Sequence, residues 1–138
     1  MANELDNTVA ALRREGEGYV TTDVASTLAA GFDGHSQAAA IRISRSGRSV
    51  LVSNRGAATD TIALFRFDAD KGTFDLAELA PTQGREPRDF VFSPDGRFVI
   101  VASQDSDALV VMEFDEDGPG LRFLSSTPVP TPVCLRFA

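Results

Sequence analysis

The sequence has no tryptophan and only one each of tyrosine (Tyr19), histidine (His35), cysteine (Cys134) and lysine (Lys71). A lone cysteine excludes an internal disulfide framework and any multi-cysteine zinc site. No apolar run approaches the roughly 18 residues of a membrane-spanning helix, so no membrane partner is expected. Met1 to Leu12 lacks a basic region followed by an apolar run, so no signal peptide is visible, and the compartment expected is the cytoplasm. Positive charge is also short. Thirteen Lys and Arg face 20 Asp and Glu, for a net charge of -7, whereas a phosphate-neutralising nucleic-acid binder needs a basic surplus on one face. No nucleic-acid partner is expected.

What remains is 138 residues with 43% hydrophobic side chains, enough for one domain with its own core. All basic residues but Lys71 are arginines. Arginine suits forked contacts to carboxylate or phosphate, which keeps a small anionic ligand open beside the plainer reading of arginines scattered over a solvated surface.

The main feature is an internal repeat. Ile41 to Arg55 aligns with Phe90 to Gln104, placing Ser44 over Ser93, Gly47 over Gly96, Arg48 over Arg97, Val50 over Val99 and Val52 over Val101. After a two-residue slip, Asp60 to Asp68 falls over Asp107 to Asp115. The spacing is about 45–50 residues, the range of propeller blades.

Each unit reads as four short strands: Ala39–Ile43, Val50–Asn54, Thr61–Phe67 and Phe74–Leu79, then Arg88–Phe92, Phe98–Ser103, Ala108–Phe114 and Leu121–Ser126. The second strands are nearly continuous in apolar residues, as burial on both faces requires. The fourth alternate, as half-solvated strands do. Ser44–Gly47 and Ser93–Gly96 supply turn residues in the order a tight turn uses. Asn7–Arg14 and Tyr19–Val24 match a third and a fourth strand, and Pro132–Phe137 a first strand, giving eleven strands. Helical periodicity is confined to a weak stretch at Thr22–Ala30. The fold class expected is all-β, a partial β-propeller: 1–30 from an incomplete blade, 38–82 and 87–129 full blades, and 131–138 the first strand of the next. Eleven strands do not tile a ring of four-stranded blades. Exposed first and last strands would leave unpaired edges, so self-association through them is a further expectation.

Asn3–Val9, Gly31–Gly34, Ile41–Ser44, Val52–Gly56, Pro87–Phe90, Ser93–Phe98, Gln104–Asp107 and Pro130–Cys134, taken in order, resemble the lactonase family of seven-bladed β-propellers. The match runs from about Asn3 to Phe137. It implies that the chain corresponds to the C-terminal part of a family member, with Met1–Glu4 at the end of an apolar second strand. It also implies hydrolysis of a small anionic sugar lactone, 6-phosphogluconolactone first, in the polar mouth of a central channel, with no cofactor or metal. Arginines would hold the substrate's negative groups, while His and Glu side chains move protons. By the same resemblance, the position of a proposed catalytic Glu is Ala40, and the catalytic His lies in a blade outside this chain. The alternative is a non-catalytic or decayed propeller that binds an anionic small molecule or a protein, and Ala40 is its best support.

Opening an ester ring needs a base for the water and positive charge where the oxyanion forms. The residues expected at the mouth are Asn54, Arg55, Arg85, Arg88, Asp89, Gln104 and Asp105, beside the loop Asp33–Gln37, with Arg55, Arg88, Asn54 and Gln104 as substrate-binding residues. Arg55 stands where its repeat partner has Gln104, so the blade itself does not require it. Its alternatives are ligand binding or a tie between blades. For Arg88 the alternative is an ion pair with a nearby acid. Asp89 reads as a carboxylate capping local backbone, and His35 as a solvated loop residue. Cys134 reads as a small packed hydrophobe, and Asp115-Glu-Asp117 as a solvated turn cluster.

Overall fold

The computed structural model describes residues 1–137 and contains eleven strands in three antiparallel sheets. The first sheet holds β1 (Ala2–Asn3), β2 (Thr8–Glu15) and β3 (Gly18–Ser26). The second holds β4 (Gln37–Ile43), β5 (Ser49–Arg55), β6 (Thr61–Asp68) and β7 (Thr73–Pro81). The third holds β8 (Pro87–Phe92), β9 (Phe98–Ser103), β10 (Ala108–Asp115) and β11 (Gly120–Pro128). In each sheet the strands lie side by side in chain order, the meander of a propeller blade.

The strand expected at Tyr19–Val24 is present and runs through the weakly periodic stretch to Ser26, because Thr8–Ala11 pair with Asp23–Ser26 across the sheet. Tertiary pairing decides the conformation of so short a segment. Contrary to expectation, Pro132–Phe137 carries no strand, since it enters no backbone ladder with a described strand. Cys134, expected to be packed, is therefore exposed.

The continuous apolar character of β5 has the expected cause. Ser49 to Asn54 are all buried, and alternate side chains enter two different cores. Val50 and Val52 join Val9, Ala38, Ala63 and Phe65 between the first and second sheets. Leu51 joins Ile62, Leu64, Phe90, Val99, Val101, Val110 and Met112 between the second and third. Each fully buried Phe or Leu stabilises the stack by roughly 1.5–3 kcal/mol.

Three devices recur from sheet to sheet. The hairpin of third and fourth strands breaks register at equivalent points, between Ala11 and Leu12, Leu64 and Phe65, and Val111 and Met112. Beside the first two breaks an acid reaches the next sheet. Asp23 accepts the Phe74 N–H at 2.7 Å, and Glu78 accepts the Leu121 N–H at 3.0 Å. At each junction the residue opening the third strand ties down the crossing chain. The Asn7, Asp60 and Asp107 carbonyls accept the N–H of Thr27, Thr82 and Val129. Their side chains then hold the residue before the next first strand: Asn7 donates to the Ser36 carbonyl, Asp60 accepts from Glu86, and Asp107 from Thr131. These ties set where β4, β8 and the C-terminal segment begin.

At the opposite end, Glu116 of the β10–β11 turn accepts from Ser44 at 2.6 Å and Ser46 at 2.8 Å, and pairs with Arg48 at 3.1 Å. Burial pushes the Glu116 carboxyl up, but those serine donors and the Arg48 charge outweigh it and hold it below the usual carboxylate range. A depressed folded-state value means stabilisation present at neutral pH and lost as pH falls through that value. Glu116→Gln is expected to cost about 1–2 kcal/mol at pH 7 and to flatten the fall in stability on acidification below about pH 4. Urea midpoints across pH 3–7 check this.

Candidate functional site

The repeat allows every position at the β4/β5 and β8/β9 ends to be compared with its equivalent. Pairing of Asn3 with Thr8, Asn54 with Thr61 and Ser103 with Ala108 makes Glu4, Arg55 and Gln104 equivalent ends of second strands. Pairing of Ile41 with Val52 and of Phe90 with Val101 makes Ala39, Ala40 and Arg42 equivalent to Arg88, Asp89 and Val91.

A cleft of about 340 Å³ opens here, lined by Glu4, Ala39, Ala40, Arg42, Arg55, Arg88 and Asp89. Its volume is at the lower end of small-ligand sites, roughly 300–1,000 Å³. Each charged lining residue has an uncharged residue at an equivalent position: Gln104 for Glu4 and Arg55, Val91 for Arg42, Ala39 for Arg88, and Ala40 for Asp89. The blade tolerates neutral side chains at all these places. The repeat itself does not require the charges gathered in this cleft.

Arg55 lies at the centre, its side chain only 14% exposed. Nη2 donates to Glu4 at 2.5 Å and Nη1 to Glu86 at 3.4 Å, so it ties two sheets together as well as facing the cleft. Its Nε is buried without an acceptor among the described residues. Glu4 is the more open partner, 56% exposed. Arg42 is fixed three ways: Nη2 donates to Asp89 at 2.7 Å, Nη1 to the Ile41 carbonyl at 2.9 Å, and the guanidinium lies 5.7 Å from the Phe90 ring centre. Such stacking favours a cation over an aromatic face.

Asp89 does not cap local backbone. It is buried, and its two oxygens take Arg42 from the second sheet and the Leu135 N–H at 2.8 Å from the C-terminal segment. Arg88 is exposed beside it and forms no ion pair among the described residues, so an ion pair does not account for it.

Asn54 and Gln104 do not line the cleft. The fully buried Asn54 amide donates to the Thr27 carbonyl at 2.6 Å and to Thr61 at 3.2 Å. It holds the crossing between the first two sheets. Gln104 opens a short 3-10 turn, Gln104–Ser106, the one departure from all-β among the described residues, and its backbone N–H donates to the Glu86 carbonyl. Arg85 turns away to the Asp105 carbonyl. His35 is exposed in its loop.

The residues brought together are thus Arg55, Arg88 and Asp89. Glu4 and Arg42 were not among the sequence candidates. Glu4 was legible in principle, because Asn3-Glu4 aligns with Asn54-Arg55 once β1 is recognised as the end of a second strand. Ala40 lines the same cleft, so a glutamate missing there does not leave the cleft without an open carboxylate.

A family model described as "Lactonase, 7-bladed beta-propeller" matches residues 1–137. The chain belongs to the lactonase family. A 6-phosphogluconolactonase of Bacillus subtilis (strain 168) is 38% identical over 138 residues, covering 97% of this chain and 39% of the relative. The solved structure of a periplasmic gluconolactonase from Pseudomonas aeruginosa superposes with a TM-score of 0.90 at 36% identity, covering 96% of this chain and 37% of that one. A Lactobacillus plantarum protein superposes at 0.92 with 34% identity, covering 99% and 40%. The chain therefore spans about two-fifths of the length of these relatives, and its three sheets form part of a propeller. Among the described residues no helix is long and apolar enough to cross a membrane.

Proposed function

We propose that this chain supplies the arginine-lined part of a lactonase site, and that the complete site opens a sugar lactone with water, 6-phosphogluconolactone first. The observation that carries this is the gathering of Glu4, Arg42, Arg55, Arg88 and Asp89 in one cleft, each with a neutral counterpart in the repeat.

The chemistry follows from their geometry. Glu4, the open carboxylate, takes a proton from water as the water oxygen bonds to the lactone carbonyl carbon. Arg55 orients that carboxylate at 2.5 Å, and its positive charge beside the cleft favours the developing oxyanion. Collapse breaks the ring C–O bond, and the departing alkoxide takes the proton that Glu4 had removed from water, leaving a hydroxy acid and restoring the carboxylate. Arg42 and Arg88 hold the substrate's negative group. No step draws on a metal or cofactor.

The test replaces the matching 39% of the Bacillus subtilis relative with this chain and follows 6-phosphogluconolactone hydrolysis. A rate well above the spontaneous one is expected. A folded chimera that hydrolyses no faster than buffer rejects the reading. A second reading, a decayed site that only binds anions, rests on Ala40. Under that reading Ala40→Glu in the chimera restores hydrolysis, whereas with Glu4 as the base it adds nothing.

The Bacillus and Pseudomonas relatives are described with phosphorylated and unphosphorylated substrates respectively, so the preference of this chain is ours to propose. The cytoplasm is the compartment proposed, although the Pseudomonas relative is described as periplasmic. Self-association is proposed through β2, because β1 pairs only with Thr8 and Val9 and leaves much of that edge open.

A further inference from the structure

We propose that Arg88 is the residue by which this cleft selects a ligand carrying a second negative charge, a phosphorylated rather than an unphosphorylated sugar acid or lactone. This rests on reading the cleft as a lactone site and names the determinant of its preference.

The cleft holds three guanidinium groups and two carboxylates. Two of the three cations are already engaged. Arg42 is held by Asp89 at 2.7 Å and by the Ile41 carbonyl, with Phe90 beneath it. Arg55 is shared between Glu4 and Glu86. These pairs can hold a carboxylate or hydroxyl by their remaining donors, but their charge is largely cancelled in place. Arg88 is the uncancelled cation, exposed at the start of β8 with no acid partner among the described residues. Its position follows from the buried Pro87 before it and from Asp89 after it, which faces Arg42.

The repeat supplies the control. The equivalent of Arg88 in the second sheet, Ala39, lines the same cleft, so the strand start neither needs an arginine nor is damaged by a small side chain. A phosphate near neutral pH carries close to two charges and three acceptor oxygens, which a free forked guanidinium matches in a way a paired one does not.

The experiment measures, by titration calorimetry at pH 7.5 and low salt, the dissociation constants of 6-phosphogluconate and gluconate for this chain. It is repeated for Arg88→Gln, Arg88→Lys and the control Arg45→Gln, which removes an equal charge outside the cleft. The wild-type chain should prefer 6-phosphogluconate. Arg88→Gln should shrink that preference about 10- to 100-fold while leaving gluconate nearly unchanged. Lysine should restore part of it, and Arg45→Gln should not move it. The proposal is overturned if Arg88→Gln weakens both ligands equally, if Arg45→Gln has the same effect, or if the wild-type chain shows no preference or no binding. Because the ratio is read without turnover, its failure and the failure of the catalytic reading are distinguishable. A chimera without hydrolysis but with Arg88-dependent preference would remove the catalytic reading and keep this one.

Discussion

Glu4→Gln in the chimera with the Bacillus subtilis relative is expected to lower lactone hydrolysis about 10²- to 10⁴-fold, the usual contribution of a positioned general base. The amide keeps the shape of the side chain and can still accept from Arg55 Nη2, so the tie at 2.5 Å need not be lost and the fold should be little changed. What disappears is the ability to take a proton from water. The expected signature is a fall in kcat with KM for the lactone changed only a few-fold, because Glu4 is not asked to hold the substrate. A fall in KM-dependent terms alone would make Glu4 a binding group. An unchanged kcat would move the base to another residue.

Phe90→Ala should be the most damaging core substitution near the site. Phe90 is fully buried in the core between the second and third sheets, and removing such a ring costs about 3–5 kcal/mol. That is a large share of the 5–15 kcal/mol by which a domain is ordinarily stable. Urea unfolding of the chain should show the midpoint falling sharply, or no folded baseline at all. The ring also lies beneath Arg42. Phe90→Leu, which retains most of the volume, should recover most of the stability without recovering the cation's aromatic seat. A loss under 1 kcal/mol for Phe90→Ala would mean that the two sheets are not packed through this residue.

The strands were legible because their signals are local. Alternation in β7 and β11, nearly continuous apolar runs in β5 and β9, and Ser-to-Gly turns are read within a few residues. The repeat then assembled them into four-stranded units. Pro132–Phe137 shows the limit of that reasoning, since a strand pattern becomes a strand only beside a partner edge. Cys134 is exposed for the same reason.

The site was legible in part. Arg55 stood out because Gln104 fills its place in the repeat, and the same comparison would have found Arg42 against Val91. Asn54 was misleading. Its polar amide at a strand end suggested a ligand contact, whereas the amide is spent on the Thr27 carbonyl. Asp89 misled in the opposite way. An aspartate routinely bonds nearby backbone, but its partners here, Arg42 and Leu135, lie 47 and 46 residues away.

By itself the amino-acid sequence determined the all-β class, the blade period, the turn positions and the surplus of arginine over lysine, since each is set by composition or by spacing within one unit. Which arginines meet, and which are cancelled, was decided by the tertiary structure. Stacking three sheets brings the ends of β1, β4, β5 and β8 to one cleft. There Glu4 and Glu86 neutralise Arg55 and Asp89 neutralises Arg42, while Arg88 is left with its charge uncancelled. Salt screens exposed charges beyond about 8–10 Å, so this division of charge depends on distances that no sequence spacing contains.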